Sequence, residues 1–328
     1  MIRDFIEETG FLDRPNVSII APESMTEELL QKTHSLDYIE RVKTISRTGQ
    51  GAIDIDTPGY KGIFENALIT CGATITGIDA IMSKKVSHFF SPTGGFHHAK
   101  YKTGGGFCIF NDVAAAVYRL KEHGLKRILV ADFDVHHGNG TQEYFYEDPQ
   151  VLNISFHQDP EWLYPHEGFI KDIGAGDGRG YNINVPLPID SGDAVYKFAF
   201  DEIVPPIVES FQPDFILFLP GFDAHYRDPL AQLILTTNMI RYVTEWIHRA
   251  AHVWSEGHLG VISGGGYHPE SFKWGVGEVM SVLTGHQFVA PTQEPPFDDD
   301  EESWEFIKKS VERVKEIVFP LFGLDSTE

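Results

Sequence analysis

Short hydrophobic runs alternate with longer amphipathic segments along the chain. The short runs are rich in Val, Ile, Leu and Phe and predict buried strands; they lie at 16–20, 86–91, 127–133, 151–156, 215–220 and 259–263. Between them, apolar residues with helical periodicity predict helices at 62–83, 111–123, 193–210 and 238–256. This alternation predicts a three-layer α/β fold, with a mainly parallel central sheet and helices on both faces.

The C-terminal part has a different composition. Residues 291–303, PTQEPPFDDDEES, combine proline with an acidic run and predict an exposed surface loop. Apolar residues then recur at alternating spacings of three and four, which predicts a helix over 304–322; they are Trp304, Ile307, Val311, Val314 and Val318. We expect this helix to dock on the body of the protein rather than to bind a partner. No repeat or linker divides the chain, so residues 1–328 are predicted to form a single domain.

Charge and cysteine content narrow the functional classes. The formal net charge is −22, which disfavours a nucleic-acid surface and favours a cationic substrate or partner. Cys71 and Cys108 are too few for a disulfide framework, as is typical of a reducing compartment. The N-terminus has no signal-peptide pattern, and no apolar run reaches the ~18 residues of a membrane span. These features predict a soluble cytoplasmic protein.

Three polar side chains lie at alternating positions, starting near the end of the apolar run at 127–133. Asp132, Asp134 and His136 share one face if the strand continues. Two neighbouring buried carboxylates repel unless a cation lies between them or one takes a proton. An imidazole on the same face favours a divalent metal, and an Asp/His/Asp set suits zinc with an open position for water. The alternative is that these residues only begin the next helix, with Asn139 as its N-cap.

Other predicted strands also end in reactive side chains. His97 and His98 follow the strand at 86–91, Asp223 follows that at 215–220, and Tyr267 follows that at 259–263. Ligands of open parallel sheets bind beyond the carboxyl ends of the strands, where these loops converge. We therefore expect one shared site.

The composition of this site predicts metal-assisted amide hydrolysis. A divalent ion held by Asp134, His136 and Asp223 would lower the pKa of water toward ~7 and polarise a carbonyl group. One or both of His97 and His98 would transfer protons. The hydroxyl of Tyr267 would donate a hydrogen bond to the oxyanion.

The same segments resemble the zinc-dependent histone deacetylase superfamily, which includes bacterial acetoin-utilisation deacetylases and acetylpolyamine amidohydrolases. The matching segments occur in the order of that family; they are HSLDYIERV (34–42), DTPGYKGIFENA (56–67), GGFHHA (94–99), GGGFCIFNDVAAA (104–115), DFDVHHGNGTQEYFY (132–146), GFDAHYRDPL (221–230) and SGGGY (263–267). The segment GGFHHA is similar to the one found in the acetoin-utilisation and archaeal branch of the family. The resemblance implies an arginase-like fold and a single catalytic domain over 1–328.

The resemblance also implies an activity and roles for individual residues. The activity is deacetylation of an N-acetylated amine, most often acetyl-lysine in a protein. The metal ligands would be Asp134, His136 and Asp223, binding Zn²⁺ or, as an alternative, Fe²⁺. His97 and His98 match the catalytic pair, and Tyr267 matches the tyrosine that stabilises the transition state.

Further positions match the acyl tunnel and the monovalent cation sites of the family. The tunnel would be lined by Gly106, Phe107, Tyr164 and Leu230. A structural K⁺ would bind at Asp132, Asp134, His136, Ser155 and Phe156. A second K⁺ site would lie near Phe145, Asp148, Val151 and Tyr181.

Three features depart from the family pattern. Asn139 stands where some members have the aspartate that pairs with the second histidine. We expect the chain to begin downstream of the family's first strand and of an arginine near the foot of the tunnel, so that either its start is truncated or the site works without them. Residues 291–303 resemble an insertion specific to this branch.

Three alternatives remain at this point. The first is an acetylpolyamine amidohydrolase. The second is a binuclear manganese ureohydrolase, because residues 223–225 read Asp-Ala-His. The third is a binding module for acetyl-lysine or polyamine that lacks activity, which would require a broken site. The expected partner is an acetylated protein or a small acetylated amine, with no nucleic acid and no membrane.

Overall fold

One six-stranded sheet, parallel at every pairing, forms the centre of the fold in the computed structural model, which describes residues 2–326. The strands are β1 (His88–Ser91), β2 (Ile128–Asp132), β3 (Val151–Gln158), β4 (Asn182–Leu187), β5 (Phe215–Leu219) and β6 (Leu259–Ile262). Their order across the sheet is β1-β6-β5-β2-β3-β4, so β1 and β4 are the edge strands. The predicted α/β class and its parallel sheet are confirmed.

Ten helices accompany the sheet within the described residues. They are α1 (Ile2–Glu8), α2 (Glu27–Thr33), α3 (Leu36–Thr48), α4 (Ile63–Met82), α5 (Asp112–Glu122), α6 (Asn139–Phe145), α7 (Asp193–Phe211), α8 (Thr237–Trp254), α9 (Pro269–Thr284) and α10 (Glu301–Val318). None of these helices combines the length and the apolarity that crossing a membrane requires.

Alternation along β2 explains the three layers. Ile128 and Val130 point to one face and join a core with α4 and α5. Leu129 and Ala131 point to the opposite face and join a larger core with α7, α8 and α10. Because both faces are covered, every residue of β2 is buried, and the strand is continuously apolar until Asp132.

The prediction of a strand at 16–20 is wrong. These residues form no strand, and Ile19 and Ile20 are exposed. Pro15 and Pro22 flank the run, and a proline removes a backbone donor and restricts the residue before it. The β-branched residues between them therefore gain no partner strand.

The sequence prediction missed β4. This strand reads NINVPL, and its alternating positions Asn182 and Asn184 are polar yet buried. Both amides donate to Gln142 Oε1, at 2.7 and 2.9 Å, so their burial leaves these donors satisfied. Pro186 is tolerated because β4 lies at an edge of the sheet.

The C-terminal segment is tied to the body at several points. The helix predicted at 304–322 begins at Glu301, because the Asp300 side chain accepts a hydrogen bond from Ser303 N at 2.7 Å. It ends at Val318 and is followed by a 3₁₀ turn over Phe319–Phe322. In the mostly exposed segment 291–303, Gln293 Oε1 accepts a hydrogen bond from Thr237 N at 2.9 Å.

Candidate active site

Three predicted ligands converge beyond the carboxyl ends of β2 and β5. Asp134 and His136 follow β2, and Asp223 follows its neighbour β5. His136 Nδ1 lies 3.2 Å from Asp134 Oδ1 and 3.1 Å from Asp223 Oδ2. One donor atom from each side chain lies within 4.8 Å of the others, so all three can reach one ion.

A glycine allows the turn after β5 to approach β2. Gly221 has a φ of 63°, and a Cβ built there would lie 1.7 Å from the carbonyl oxygen of Phe133. No other residue type fits this space without moving the backbone. The close approach places Asp223 Oδ1 3.1 Å from Val135 N, which donates to it.

The chemistry of this donor set fits a divalent cation. Asp134, His136 and Asp223 are buried. Burial and the charge of Asp134 together raise the pKa of Asp223 to about 7. Burial disfavours a charged His136, but hydrogen bonds to the two carboxylates outweigh it and raise the pKa of His136 to about 10. The pocket therefore favours positive charge between its carboxylates, which a metal ion would supply.

The loop that carries His97 and His98 is fastened to the start of α5. Asp112 Oδ1 accepts a hydrogen bond from Phe96 N at 2.8 Å, and Asn111 Nδ2 donates to Ala99 O at 3.0 Å. The sequence reasoning assigned no role to these two residues. The sequence signal that could have revealed them is an Asn-Asp pair at the start of a predicted helix, where such residues are typical caps.

The two histidines lie in opposite electrostatic environments. His97 Nδ1 donates to Asp132 Oδ2 at 2.8 Å. Burial opposes charge on His97, but Asp132 and Asp134 outweigh it and raise its pKa to about 9. Burial and the neighbouring His97 lower the pKa of His98 well below its ordinary value. The two Nε2 atoms are 3.2 Å apart, so a charged and a neutral imidazole lie side by side at pH 7.

Asn139 fixes the tautomer of His98. The amide nitrogen of Asn139 donates to Glu167 Oε1 at 3.3 Å, so its oxygen faces His98 Nδ1 at 2.9 Å. Because this oxygen only accepts, His98 carries its proton on Nδ1 and has a lone pair on Nε2. Lys100 holds the Glu167 carboxylate at 2.9 Å. A carboxylate thus supports His98 through one intervening amide.

Tyr267 lies beside the ligand cluster at the end of the triple glycine that follows β6. Within this turn Gly265 N donates to Asp134 Oδ2 at 2.6 Å, and Tyr267 N donates to Asp228 Oδ2 at 2.7 Å. Burial raises the pKa of the Tyr267 phenol, and the charges of Asp223 and Asp134 raise it further. The hydroxyl therefore keeps its proton and can donate a hydrogen bond.

The four predicted tunnel residues lie near His98 and Tyr267. The Phe107 ring lies 5.8 Å from the Tyr267 ring, and the Tyr164 ring lies 5.0 Å from that of His98. Gly106 and Phe107 both have positive φ, at 55° and 64°. Leu230 N donates to Asp228 Oδ1 at 3.0 Å, so the aspartate that holds Tyr267 also holds Leu230.

Two residues that hold the backbone of the predicted tunnel residues were missed. Asp56 Oδ1 accepts from Gly106 N at 3.2 Å, and Thr57 Oγ1 accepts from Phe107 N at 3.0 Å. These bonds hold the backbone in its left-handed conformation. Asp56 and Thr57 begin a segment quoted for the family resemblance, but only the fold brings them to residues fifty positions later.

The residues predicted to bind K⁺ are neighbours. Asp132 and Ser155 are opposite each other in the β2–β3 register, and Ser155 Oγ lies 2.8 Å from His157 Nδ1. Phe156 packs on Phe133 with ring centroids 5.2 Å apart. At the second predicted site, the carbonyls of Phe145, Asp148 and Tyr181 accept backbone hydrogen bonds from Asp148, Val151 and Asn153.

The ligands of a second manganese ion do not converge on this cluster within residues 2–326. The only other group there that could hold an ion consists of His88, His248 and His252. His225, of the Asp-Ala-His sequence, faces Gln293 Oε1 through Nε2 at 2.8 Å. Its Nδ1 accepts a hydrogen bond from Arg227 N at 3.2 Å. Both ring nitrogens are therefore engaged elsewhere.

Comparison with known proteins agrees with this geometry. The histone deacetylase domain matches residues 1–283. The chain belongs to the histone deacetylase family. It is therefore a hydrolase, and metal dependence is general in this family.

The relatives include members of the expected branch. A "Probable deacetylase" of Archaeoglobus fulgidus is 38% identical over 273 residues, which cover 81% of this chain and 74% of that protein. The "Acetoin utilization protein AcuC" of Bacillus subtilis is 35% identical over 260 residues, which cover 76% of this chain and 66% of that protein. The crystal structure of the HD domain of HDA15 has a TM-score of 0.87 and 28% identity, covering 98% of this chain and 87% of that one. The predicted family and branch are confirmed.

Proposed function

We propose that this hydrolase is a zinc-dependent deacetylase that hydrolyses the acetamide of acetyl-lysine in proteins. The observation that carries the proposal is the convergence of Asp134, His136 and Asp223, with the His98 ring 6.1 Å from that of His136 and the Tyr267 phenol near enough to feel the charges of Asp223 and Asp134. Two carboxylates and one imidazole suit Zn²⁺, with Fe²⁺ as the alternative. A divalent ion bound there supplies a Lewis acid for the carbonyl and lowers the pKa of water toward ~7.

The two histidines divide the proton transfers. His98 is neutral, and its Nε2 accepts a proton from the attacking water while the water oxygen bonds to the carbonyl carbon. His97 is charged at pH 7 and gives its Nε2 proton to the leaving nitrogen as the C–N bond breaks. Acetate and a free amine leave. The proton then returns from His98 to His97 across 3.2 Å.

Tyr267 acts on the oxyanion. Its neutral hydroxyl donates a hydrogen bond to the oxygen that becomes negatively charged when water adds to the carbonyl. Asp228 keeps the tyrosine at this position through the Tyr267 backbone nitrogen.

The rim and the charge of the protein favour a lysine side chain as substrate. The rings of Phe107 and Tyr164 are partly exposed and flank the approach to His98 and Tyr267, where they can cover an aliphatic chain. The net charge of −22 attracts cationic peptides and disfavours nucleic acid. An acetylpolyamine has the same acetamide and a cationic chain, and it is the second candidate substrate.

The remaining assignments extend the same proposal. Residues 1–328 form one catalytic domain, to which the loop 291–303 and the C-terminal helix belong because α10 packs on α7 and β4. A structural K⁺ binds near Asp132 and Ser155. Cys71 and Cys108 are free thiols, which suits action in the reducing cytoplasm.

Acetate release decides between the two substrates. Protein stripped of metal is loaded with Zn²⁺ or Fe²⁺ and given an acetyl-lysine peptide or acetylputrescine at equal concentrations. We expect a larger kcat/KM for the peptide, with one metal per catalytic site. A larger kcat/KM for acetylputrescine would replace protein deacetylation with polyamine deacetylation, and binding of both without acetate release would contradict the enzymatic proposal.

A further inference from the structure

Three histidines converge at the amino-terminal ends of the strands, at the end of the sheet opposite the candidate active site. His88 is the first residue of the edge strand β1, whereas the candidate active site lies beyond the carboxyl ends of the strands. His248 and His252 come from α8 and are one helical turn apart. Nothing in the deacetylation chemistry uses these residues.

Their ring nitrogens have the spacing of metal ligands. His248 Nε2 lies 3.1 Å from His88 Nε2 and 3.2 Å from His252 Nε2. A tetrahedral ion with metal–nitrogen bonds of about 2.0–2.1 Å separates its nitrogen ligands by about 3.3–3.4 Å. The observed distances are within a few tenths of an ångström of that value, and a donor atom from each ring lies within 4.8 Å of the others.

Hydrogen bonding alone explains this arrangement poorly. Each contact between two Nε2 atoms needs one nitrogen that carries a proton and one that carries a lone pair, so the single Nε2 of His248 must serve two neighbours, and no carboxylate is among the three groups. The second ring nitrogen of His88, Nδ1, is buried and makes no hydrogen bond, so no interaction at Nδ1 fixes the orientation of the ring.

The surrounding fold keeps the three rings together. Spacing of i and i+4 puts His248 and His252 on one face of α8, a spacing that also occurs in helical zinc sites. Gly257, after the helix, has a φ of 83°, and a Cβ there would lie 3.3 Å from His252 Cε1 and 3.7 Å from His88 Cε1. His88 and His248 are half-buried and His252 is exposed, so an ion would have one side open to solvent.

We propose that His88, His248 and His252 form a second metal site that binds a first-row transition-metal ion, with Zn²⁺ as the expected occupant, through three imidazole Nε2 atoms. Imidazole ligands without carboxylates favour such ions over Mg²⁺ and Ca²⁺. The site links α8 to β1, which otherwise pairs only with β6. Its role is therefore structural, because it joins the edge strand to a helix of the layer that flanks the sheet.

Metal counting tests the site. Protein stripped with a chelator is dialysed against micromolar free Zn²⁺, and the bound metal is measured. We expect two equivalents for the unmodified chain and one for the double variant His248→Ala/His252→Ala. Arg249→Ala, an exposed change on the same helix, should keep two equivalents. Two equivalents in the double variant, or one in the unmodified chain that the histidine changes do not alter, would overturn the proposal.

Two further measurements separate this site from the active site. Asp223→Ala should lose only the catalytic equivalent, and the remaining equivalent should disappear when His248 and His252 are also changed. The zinc-loaded double variant should keep its deacetylase activity, while the rise in Tm produced by Zn²⁺ should be smaller than in Arg249→Ala. If the double variant folds poorly by circular dichroism, the exposed single change His252→Gln replaces it, with at least a tenfold loss in zinc affinity at this site as the expected result. An unchanged affinity would contradict the assignment.

Discussion

His98 Nδ1 donates to the amide oxygen of Asn139 at 2.9 Å, so the neutral histidine is oriented without a direct carboxylate partner. Replacing that amide with a carboxylate in Asn139→Asp should raise the pKa of His98 by about one to three units. Because His98 must be unprotonated to accept the water proton, activity is lost as pH falls through its pKa. The acidic limb of the kcat/KM profile should therefore move to higher pH. An unchanged acidic limb would remove His98 as the base.

His97 should determine the alkaline limb. Its pKa is raised to about 9 by Asp132 and Asp134 against the effect of burial, so activity that needs its proton is present below this pH and is lost above it. Asp132→Asn removes one of the two charges, which should move the alkaline limb to lower pH. The measurement is the pH dependence of kcat/KM, with circular dichroism to establish that the variant is folded. If the alkaline limb stays near pH 9 in this variant, it reports the titration of a group other than His97.

Tyr267→Phe removes one hydroxyl and leaves the ring beside Phe107. Since the hydroxyl acts on the oxyanion, kcat should fall about 10²–10³-fold while KM changes little. Tyr226→Phe is a suitable control, because that ring stacks on His225 and takes no part in the proposed reaction. Equal activity of Tyr267→Phe and Tyr226→Phe would contradict the proposed role and would favour a binding module.

Asp223→Ala should lose the catalytic metal and the activity together. The change removes one of three ligands and leaves Asp134 and His136 as a pair. Bound metal and acetate release are measured on the same sample. A variant that retains both the metal and full activity would refute the ligand assignment.

Gly221→Ala tests the close approach of the β5 turn to β2. Alanine there meets the Phe133 carbonyl and also requires positive φ, so we expect a loss of about 2–4 kcal/mol in the free energy of unfolding. Gly285→Ala is the matched control, because Gly285 has a φ of 70° but open space around its missing Cβ. It should cost only about 1 kcal/mol. Similar losses, measured by urea denaturation, would show that the approach to Phe133 matters little.

The sequence revealed the parts of the site that lie next to strand ends. Asp134, His136, Asp223 and Tyr267 follow continuous apolar runs, and the convergence of parallel strands places such residues together. The family resemblance added Asn139 and the tunnel positions. It did not reveal Asp228 or Glu167, because their roles depend on hydrogen bonds to residues 28 to 39 positions away.

The two errors in the predicted strands have a common physical origin. The run at 16–20 has β-branched residues but no neighbouring strand edge, whereas β4 has two asparagines whose polarity hides a buried strand. Local composition cannot report whether a backbone will find a partner. The side-chain amides of Asn182 and Asn184 are satisfied in β4 by Gln142, about forty positions away, and by the carbonyl oxygen of Asp172.

Gln293 links the acidic C-terminal segment to His225, two residues beyond Asp223. The match to the deacetylase domain ends at residue 283, so the turn that carries the proposed ligand Asp223 lies inside the matched region, whereas the Gln293 side chain that hydrogen-bonds to His225 lies outside it. Removal of the chain beyond residue 283 would take away this support without touching any proposed ligand. Trimming the protein to its recognised domain boundary therefore risks loosening the metal pocket.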